Sequence, residues 1–286
     1  MIEKARGFAA DEILLDLEDS VPPSRKDAAR EAVISALSEG SWRAGCVSVR
    51  INALGTRWCH RDVIELACRG GERLDALMLP KVACAEDVRV LARLCEMAEL
   101  EGEREQALGL ELLIESPQGL RAAAEIAGAS ERVQALMLGY LDLGGALGRQ
   151  RSATGTDRAE RWSHALEVVL GAARCAGVQA IDGPYLESAD LEGLRRWAEH
   201  VRSLGYDGKW ALHPRQLPVL QEVFAVEEEE LARARAVIAA LERAGQEGRG
   251  ALLLDGEMID EASRRRAQAL LARAAADAGD SAPQAG

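Results

Sequence analysis

The sequence lacks the features of a secreted or membrane-spanning protein. Its six cysteines form no CxxC pair and no short disulfide-rich framework. It has neither a signal peptide nor a run of about 18 apolar residues. These absences exclude a disulfide scaffold and a transmembrane helix, and they predict a cytoplasmic protein whose cysteines are buried free thiols.

Positive charge is also scarce. Lys and Arg total 35 residues against 47 Asp and Glu, which gives a net charge of −12. This balance disfavours a long nucleic acid or an anionic membrane as a partner, so an anionic small ligand would need a local basic patch. A dinucleotide site is not indicated, because the glycines at 139, 144, 145 and 148 do not follow the GxGxxG spacing.

What the sequence does contain is a set of short apolar runs that alternate with segments of helical spacing. The hydrophobic content of 48% over 286 residues is enough for a large core. Seven runs are typical of buried strands: 13–17, 47–51, 76–82, 110–114, 133–138, 178–181 and 209–212. Helical spacing marks residues 85–100, 120–127, 161–176 and 191–204. This alternation predicts βαβ units and a parallel sheet.

The fold class that follows is α/β, as a TIM (β/α)8 barrel that lacks its usual first strand. A closed barrel of this type needs eight strands, and the chain opens on a helix, so the first strand is the one not found. We expect the barrel domain to cover residues 1–220, a C-terminal helical segment to cover 221–275, and the small polar tail 276–286 to be disordered.

Two carboxylates follow neighbouring predicted strands at equivalent places. Glu115 ends the run 110–114 immediately before Pro117, and Asp142 comes shortly after the run 133–138. Carboxylate oxygens are the ligands that Mg²⁺ prefers, so the pair suggests a magnesium site. Either acid alone could instead cap the helix that follows it.

Further polar residues lie where predicted strands end, which is where the active sites of TIM barrels gather. These residues are Glu18, Asp19, Arg50, Lys81, Asp182 and His213.

Eight segments in this order resemble the citrate lyase β-subunit-like proteins of the HpcH/HpaI aldolase superfamily, which include malyl-CoA and citramalyl-CoA lyases. The segments are LLDLEDSVPPSRKDAAR at 14–30, VRINALGT at 49–56, LMLPKV at 77–82, ELLIESPQGL at 111–120, LGYLDL at 138–143, AIDGPY at 180–185, GYDGKWALHPRQ at 205–216 and DGEMID at 255–260. Together they cover nearly the whole chain and are highly specific.

The resemblance implies a TIM barrel with Mg²⁺, or alternatively Mn²⁺, on Glu115 and Asp142. It also implies that Arg50 holds the oxygens of a 2-oxo acid, and that Lys26 and Arg30 contact the phosphates of coenzyme A. We place Lys81 and Pro117 in the same substrate-binding set. Such a basic helix start would let an acidic protein bind a polyanionic cofactor.

The chain departs from the family at its start and agrees with it near its end. Relatives begin with a strand resembling RSxLFVPG, which is not found here, so either the barrel is open or the start codon is wrongly assigned. Relatives that act on acyl-CoA carry a C-terminal lid with an MxD segment, often supplied by a neighbouring subunit, and Met258-Ile259-Asp260 matches it. We therefore expect a homo-oligomer, a trimer or a hexamer.

The function that this resemblance implies is a lyase that cleaves or forms a β-hydroxyacyl-CoA, such as malyl-CoA or citramalyl-CoA, with an acyl-CoA and a 2-oxo acid as the other partners. Asp260 is the expected acid/base group, although it could simply cap the last helix. Glu18 and Asp19 are expected to organise metal-bound water. The alternatives are an acyl-CoA thioesterase, a free-acid aldolase on the same metal site, or an inactive paralogue that serves as an assembly subunit.

Overall fold

The computed structural model describes residues 2–39, 41–149, 158–246 and 248–280. The chain divides into two compact units, Met1–Phe224 and Ala225–Gly286. The strands are β1 Glu12–Asp16, β2 Cys46–Arg50, β3 Ala76–Leu79, β4 Gly109–Ile114, β5 Val133–Leu138, β6 Gln179–Asp182, β7 Gly208–Lys209, β8 Leu252–Leu254 and β9 Glu257–Ile259. The helices are α1 Ile2–Ala5, α2 Lys26–Ser38, α3 Cys59–Arg69, α4 Ala85–Glu101, α5 Pro117–Arg121, α6 Ala123–Ala127, α7 Tyr140–Ala146, α8 Arg158–Ala176, α9 Leu191–Leu204, α10 Leu217–Phe224, α11 Glu228–Gln246 and α12 Glu261–Asp280.

The first unit is built on a seven-stranded parallel sheet whose strands follow one another in chain order, β1 to β7. Each predicted strand has a counterpart and the parallel arrangement is confirmed, but β7 is Gly208–Lys209, so only Lys209 of the predicted run 209–212 lies in a strand. The prediction of a barrel is confirmed only in part: within the described residues β1 pairs with β2 alone and β7 with β6 alone, so the sheet is an open half-barrel. Closure needs hydrogen bonds between the two edge strands, and these bonds are not formed.

The two faces of the sheet bury different residues, because successive side chains of a strand point to opposite faces. The outer face packs against the helices in a large apolar core that includes Leu15, Val49 and Leu112. The inner face carries a separate apolar cluster, whose members are Leu14, Met78, Leu113, Ala135, Met137, Ile181 and Trp210. Polar residues lie at both ends of this inner cluster.

One predicted helix is divided in two. The segment predicted at 120–127 is α5 followed by α6, which meet at Ala122. Ser116 starts α5 by accepting a hydrogen bond from the Gly119 N–H at 3.0 Å, and Pro117 occupies the first helical position, where its lack of an N–H costs nothing. The helix therefore begins directly after Glu115.

The second unit consists of α11, the antiparallel hairpin β8–β9 and α12. The hairpin turns at Asp255 and Gly256, whose φ values of 50° and 85° are those that an Asp-Gly turn favours. Val237, Leu241, Ile259 and Ala267 form its core. Helix α12 runs to Asp280, past the predicted end of the helical segment at 275, and residues 281–286 of the predicted disordered tail lie outside the described residues.

Among the described helices, none combines the length and the apolar character that a membrane span requires.

Candidate active site

The carboxyl ends of β1 and β2 hold an arginine in a fixed orientation. Arg50 donates to both oxygens of Asp16, from Nε at 2.8 Å and from Nη2 at 2.6 Å. The same carboxylate accepts the Glu18 N–H at 2.8 Å, so it also holds the turn after β1. Burial alone would raise the pKa of Asp16, but the Arg50 guanidinium outweighs burial and lowers it. The resulting pair is ionised, bidentate and rigid.

A second cation, Lys81, links three acids from two segments, the turn after β1 and helix α7. Its ammonium donates to Glu18, lies 3.2 Å from Asp19 Oδ1, and lies 3.6 Å from Asp142 Oδ2. Lys81 adopts a left-handed backbone conformation with φ 56°, an uncommon state for a residue with a side chain. That conformation turns the chain directly after β3 and Pro80. The structure thus brings Glu18, Asp19 and Asp142 together around one charge.

Glu115 lies at the end of β4 and is 7% exposed. One of its carboxylate oxygens accepts the backbone N–H of Lys81 at 2.8 Å. Burial raises the pKa of Glu115 to about 7, and the charges of Asp142 and Glu18 add to this shift. The protein surrounds this carboxylate with other acids and gives it no bonded side-chain cation within the described residues.

Gly139, at the end of β5, makes room for Glu115. A Cβ atom at position 139 would lie 2.5 Å from Glu115 Cβ and 2.7 Å from Glu115 Oε2, closer than real contacts allow. Glycine is required here because any side chain would collide with Glu115. The backbone is not the reason, since a φ of −94° is accessible to any residue. The cleared space borders the carboxylate oxygen that does not accept the Lys81 N–H.

The donor set fits a hard divalent cation. Glu115, Asp142 and Asp19 all lie at the carboxyl edge of the sheet, and among the described residues the Lys81 ammonium contacts both Asp19 and Asp142. An ionised Glu115 is disfavoured without a cation, as its raised pKa indicates. Oxygen ligands near a cleared space are what Mg²⁺ requires, so the predicted ligands Glu115 and Asp142 are suitable.

The cations predicted to contact coenzyme A are engaged with the protein. The Lys26 ammonium is buried and donates to the backbone carbonyls of Leu17 at 2.8 Å and Glu18 at 2.7 Å. Arg30 is 3% exposed and bonds Asp62 at 2.8 Å and Asp27 at 2.7 Å. Lys26 therefore fastens the segment that follows β1, and Arg30 joins α2 to α3. Their contact with coenzyme A stays a prediction.

Asp16 is a functional candidate that the sequence reasoning missed. It sits inside the apolar run Leu14-Leu15-Asp16-Leu17 and was counted as part of the strand. The signal that could have found it is the period of two, because Glu12, Leu14 and Asp16 share one face of β1. An acid on the inner face at the carboxyl end of a strand belongs to the site.

Asp182 supports the site from β6. It is fully buried and accepts hydrogen bonds from Tyr140 Oη, from Trp197 Nε1 at 2.8 Å and from the Lys209 ammonium. Tyr140 begins α7, the helix that carries Asp142. Asp182 therefore fixes the helix on which a predicted metal ligand lies.

Asp260 belongs to the second unit and immediately precedes α12. Its side chain is exposed, and Oδ1 accepts the N–H groups of Ala262 at 2.9 Å and Ser263 at 3.2 Å. This is the geometry of a helix N-cap. Asp260 performs that structural role, and its predicted acid/base role remains a prediction.

Comparison with known proteins agrees with this arrangement. The model of the HpcH/HpaI aldolase/citrate lyase family matches residues 1–214. The L-malyl-CoA/β-methylmalyl-CoA lyase of Rhodobacter capsulatus is 38% identical over 287 residues, which cover 96% of this chain and 90% of that protein. The citrate lyase subunit beta of Escherichia coli is 38% identical over 277 residues, covering 96% and 89%.

Solved structures show the same likeness. The protein CitE of Mycobacterium tuberculosis, in complex with magnesium, acetoacetate and coenzyme A, matches with a TM-score of 0.73 and 32% identity over 93% of this chain and 91% of that one. A citrate lyase of Burkholderia xenovorans matches with a TM-score of 0.84 and 25% identity, over 96% and 86% of the two chains. The resemblance inferred from the sequence segments is confirmed: the chain belongs to the HpcH/HpaI aldolase/citrate lyase family and is a carbon–carbon lyase.

Proposed function

We propose that this lyase cleaves and forms a β-hydroxyacyl-CoA, with an acyl-CoA and a small 2-oxo acid such as glyoxylate or pyruvate as products, and that it depends on Mg²⁺. The observation that carries the proposal is Glu115, a buried carboxylate with a pKa of about 7 beside Asp142 and the Asp16–Arg50 pair. The relatives named for malyl-CoA cleavage and the solved relative with magnesium and coenzyme A support the substrate class.

Glu115 and Asp142 would hold the magnesium ion. When bound, the ion supplies Lewis-acid polarisation of the oxo-acid oxygens. The raised pKa of Glu115 means that the protein alone does not stabilise the ionised carboxylate. A bound cation would stabilise its negative charge.

Arg50 is suited to orient the oxo-acid end of the substrate. Asp16 bonds Nε and Nη2, and Glu18 Oε2 lies 3.3 Å from Nη1, so the guanidinium plane is fixed before substrate arrives. Its central carbon lies 5.6 Å from the centre of the Trp210 ring, which is within the range of a cation–π contact. A preorganised cation of this kind costs little reorganisation when it binds a carboxylate.

Asp260 is proposed to move the proton at carbon. In cleavage, the bond between the hydroxyl-bearing carbon and the α-carbon of the thioester breaks. The hydroxyl gives its proton to the Asp260 carboxylate and becomes the carbonyl, and the protonated Asp260 then gives that proton to the α-carbon. In condensation the carboxylate removes that proton. We propose that residues 221–275 act as a lid, and that the lid of a neighbouring copy completes the site in a homo-oligomer.

A substrate panel tests the proposal. Malyl-CoA, methylmalyl-CoA and citramalyl-CoA are incubated with the protein and Mg²⁺, and the 2-oxo acid and free thiol are measured separately. A lyase releases 2-oxo acid without free thiol. Release of thiol alone would show a thioesterase, and no turnover with any of the three, in protein that binds Mg²⁺, would overturn the proposed substrate class. The size difference between the substrates is worth only about 1–3 kcal/mol of discrimination, so the panel needs all three.

A further inference from the structure

A second polar cluster lies at the amino ends of the strands, on the same inner face as the active site. Glu12 begins β1, Cys46 begins β2 and pairs with it in register, and Glu111 lies on β4. The nearest ligand atoms of these three side chains lie within 4.8 Å of one another. Ser48, two residues after Cys46, donates its hydroxyl to Glu12. Three strands thus deliver two carboxylates and a thiol to one place.

The cluster is left without a counter-charge. Glu111 is 3% exposed, and its Oε2 accepts no hydrogen bond from any residue that the structure describes. Burial raises the pKa of Glu111 well above its ordinary value, and the neighbouring Glu12 adds to the shift. Burial likewise raises the pKa of Glu12 and of the Cys46 thiol. A buried acceptor without a partner is destabilising, so a cation bound to it would stabilise the cluster.

The surrounding charges reinforce this. Asp75 and Asp11 raise the pKa of Glu12 further. Arg73 is the cation that acts to lower the pKa of Cys46, but it lies 3.7 Å from Asp75 and donates to the Ala44 carbonyl at 2.6 Å. The field at the cluster is negative. Glu12 and Cys46 are half-buried, whereas Glu111 is buried.

We propose that Glu12, Cys46 and Glu111 form a second metal site, for a borderline-soft divalent cation of the zinc class. The thiolate selects against Mg²⁺ and Ca²⁺, which take oxygen ligands, and favours Zn²⁺ or Co²⁺. Binding joins the cation to sulfur and to the two carboxylates, and it releases the thiol proton and the proton that the buried Glu111 carries. Water completes the coordination.

This site is separate from the magnesium site. Glu111 precedes Glu115 by four residues on one extended chain, about 13 Å at roughly 3.3 Å per residue. The apolar side chains of Leu14 and Leu113 lie between the two ends of the sheet. The proposed ion is therefore structural and fastens β1 and β2 to β4.

Cobalt is the probe, because a thiolate bound to Co²⁺ gives a sulfur-to-metal charge-transfer absorption that oxygen ligands do not give. Full-length reduced protein is titrated with Co²⁺ in the presence of excess Mg²⁺. The band should appear with wild-type protein, persist in Glu115→Gln and in the exposed-thiol control Cys84→Ser, and vanish in Cys46→Ser. A band that is missing in folded wild-type protein, or that survives Cys46→Ser, overturns the proposal.

Thermal unfolding gives the second measurement. With Mg²⁺ in excess, added Zn²⁺ should raise the midpoint of wild-type protein and leave that of Glu111→Gln unchanged. The rival explanation is that Glu12 and Glu111 share a proton and bind no metal. In that case Glu111→Gln replaces a neutral acid without loss of stability, and Zn²⁺ changes the unfolding midpoint of neither protein. An unchanged midpoint of the wild-type protein on addition of Zn²⁺ would overturn the metal site. This measurement does not depend on whether the variant folds.

Discussion

The two ends of strands β1 and β4 carry the same pattern with opposite surroundings. On the inner face β1 presents Glu12, Leu14 and Asp16, and β4 presents Glu111, Leu113 and Glu115. At the carboxyl end, Asp16 is paired with Arg50 and its pKa is lowered. At the amino end, Glu111 has no cation partner among the described residues, and its pKa is raised.

The difference shows that position on a strand does not fix the chemistry of a carboxylate. Its neighbours do so, because burial penalises the charged form at both ends and only a nearby cation reverses the effect. Glu115 is the exception at the carboxyl end: its pKa is about 7 although Arg50 and Lys81 lie in the same site. It is the acid there that still needs a cation.

The largest expected effect is the loss of turnover in Glu115→Gln. Removing this ligand should abolish Mg²⁺ binding and lower kcat on the order of 10⁴-fold or more, since a metal supplies several kcal/mol of charge stabilisation. The fold should persist, because a rim carboxylate adds little to the core. Calorimetric Mg²⁺ titration and steady-state kinetics measure both quantities.

Glu111→Gln is the matched control, with the same substitution at the other end of the same strand. It should keep Mg²⁺ binding and kcat. Equal losses in the two variants would mean that the ends of β4 are not functionally distinct, and full activity of wild-type protein after exhaustive chelation would exclude the metal role of Glu115.

The next effect concerns Asp260, which belongs to the second unit. Asp260→Asn should slow turnover by roughly 10²–10⁴-fold, the usual contribution of a positioned acid/base group. Deuterium exchange from solvent into the methyl group of acetyl-CoA should disappear with it. Asparagine caps a helix as well as aspartate does, so the N-cap to Ala262 and Ser263 is kept. Wild-type turnover in this variant would leave Asp260 as a cap alone.

The third prediction is a pH dependence of stability in the metal-free protein. Glu115 binds its proton more tightly when folded, since its pKa rises from 4.5 to about 7. The folded state therefore holds more protons, and the free energy of unfolding falls as pH rises from about 4.5 to about 7, by roughly 3 kcal/mol. Denaturant unfolding with chelator at pH 5 and pH 8 should show this fall in wild-type protein and a smaller one in Glu115→Gln. A fall of the same size in both would assign it to other groups.

The seven strands could be predicted because each is a short apolar run bounded by polar or turn residues. Glu115, Asp142, Arg50 and Lys81 could be predicted as rim residues, because the carboxyl ends of parallel strands meet at one edge. Their contacts could not be predicted. Which oxygen meets which nitrogen depends on register, and the pairing of Asp16 with Arg50 follows from the alignment of β1 with β2.

The predicted use of Lys26 and Arg30 shows a second limit. A cation in a sequence looks available for a ligand, yet Lys26 is bound to the carbonyls of Leu17 and Glu18. Loop conformation decides this, and loops have no periodicity from which to infer it. Glu12 and Glu111 are missed by the sequence reasoning because each lies within or beside an apolar run that is typical of a buried strand. Their signal is that each is a polar residue on the inner face, where alternate residues of the strand point.

Asp16→Asn gives the smallest predicted effect and isolates the feature that distinguishes the two ends of the sheet, a carboxylate that fixes a cation. Asparagine keeps one acceptor for the Glu18 N–H but loses the ionic, two-point bond to Arg50. Hydrogen bonds to charged groups are worth about 1.5–3 kcal/mol, so kcat/KM should fall roughly 10–100-fold. KM for the oxo acid should carry part of this loss, because a mobile guanidinium binds a carboxylate less well. Asp11→Asn, at an exposed acid just before β1, is the control and should leave kcat/KM unchanged. If Asp16 acts through Arg50, the double variant Asp16→Asn/Arg50→Lys should be no slower than Arg50→Lys alone, since lysine cannot form the two-point bond. Additive losses would mean that Asp16 acts on the reaction independently of Arg50.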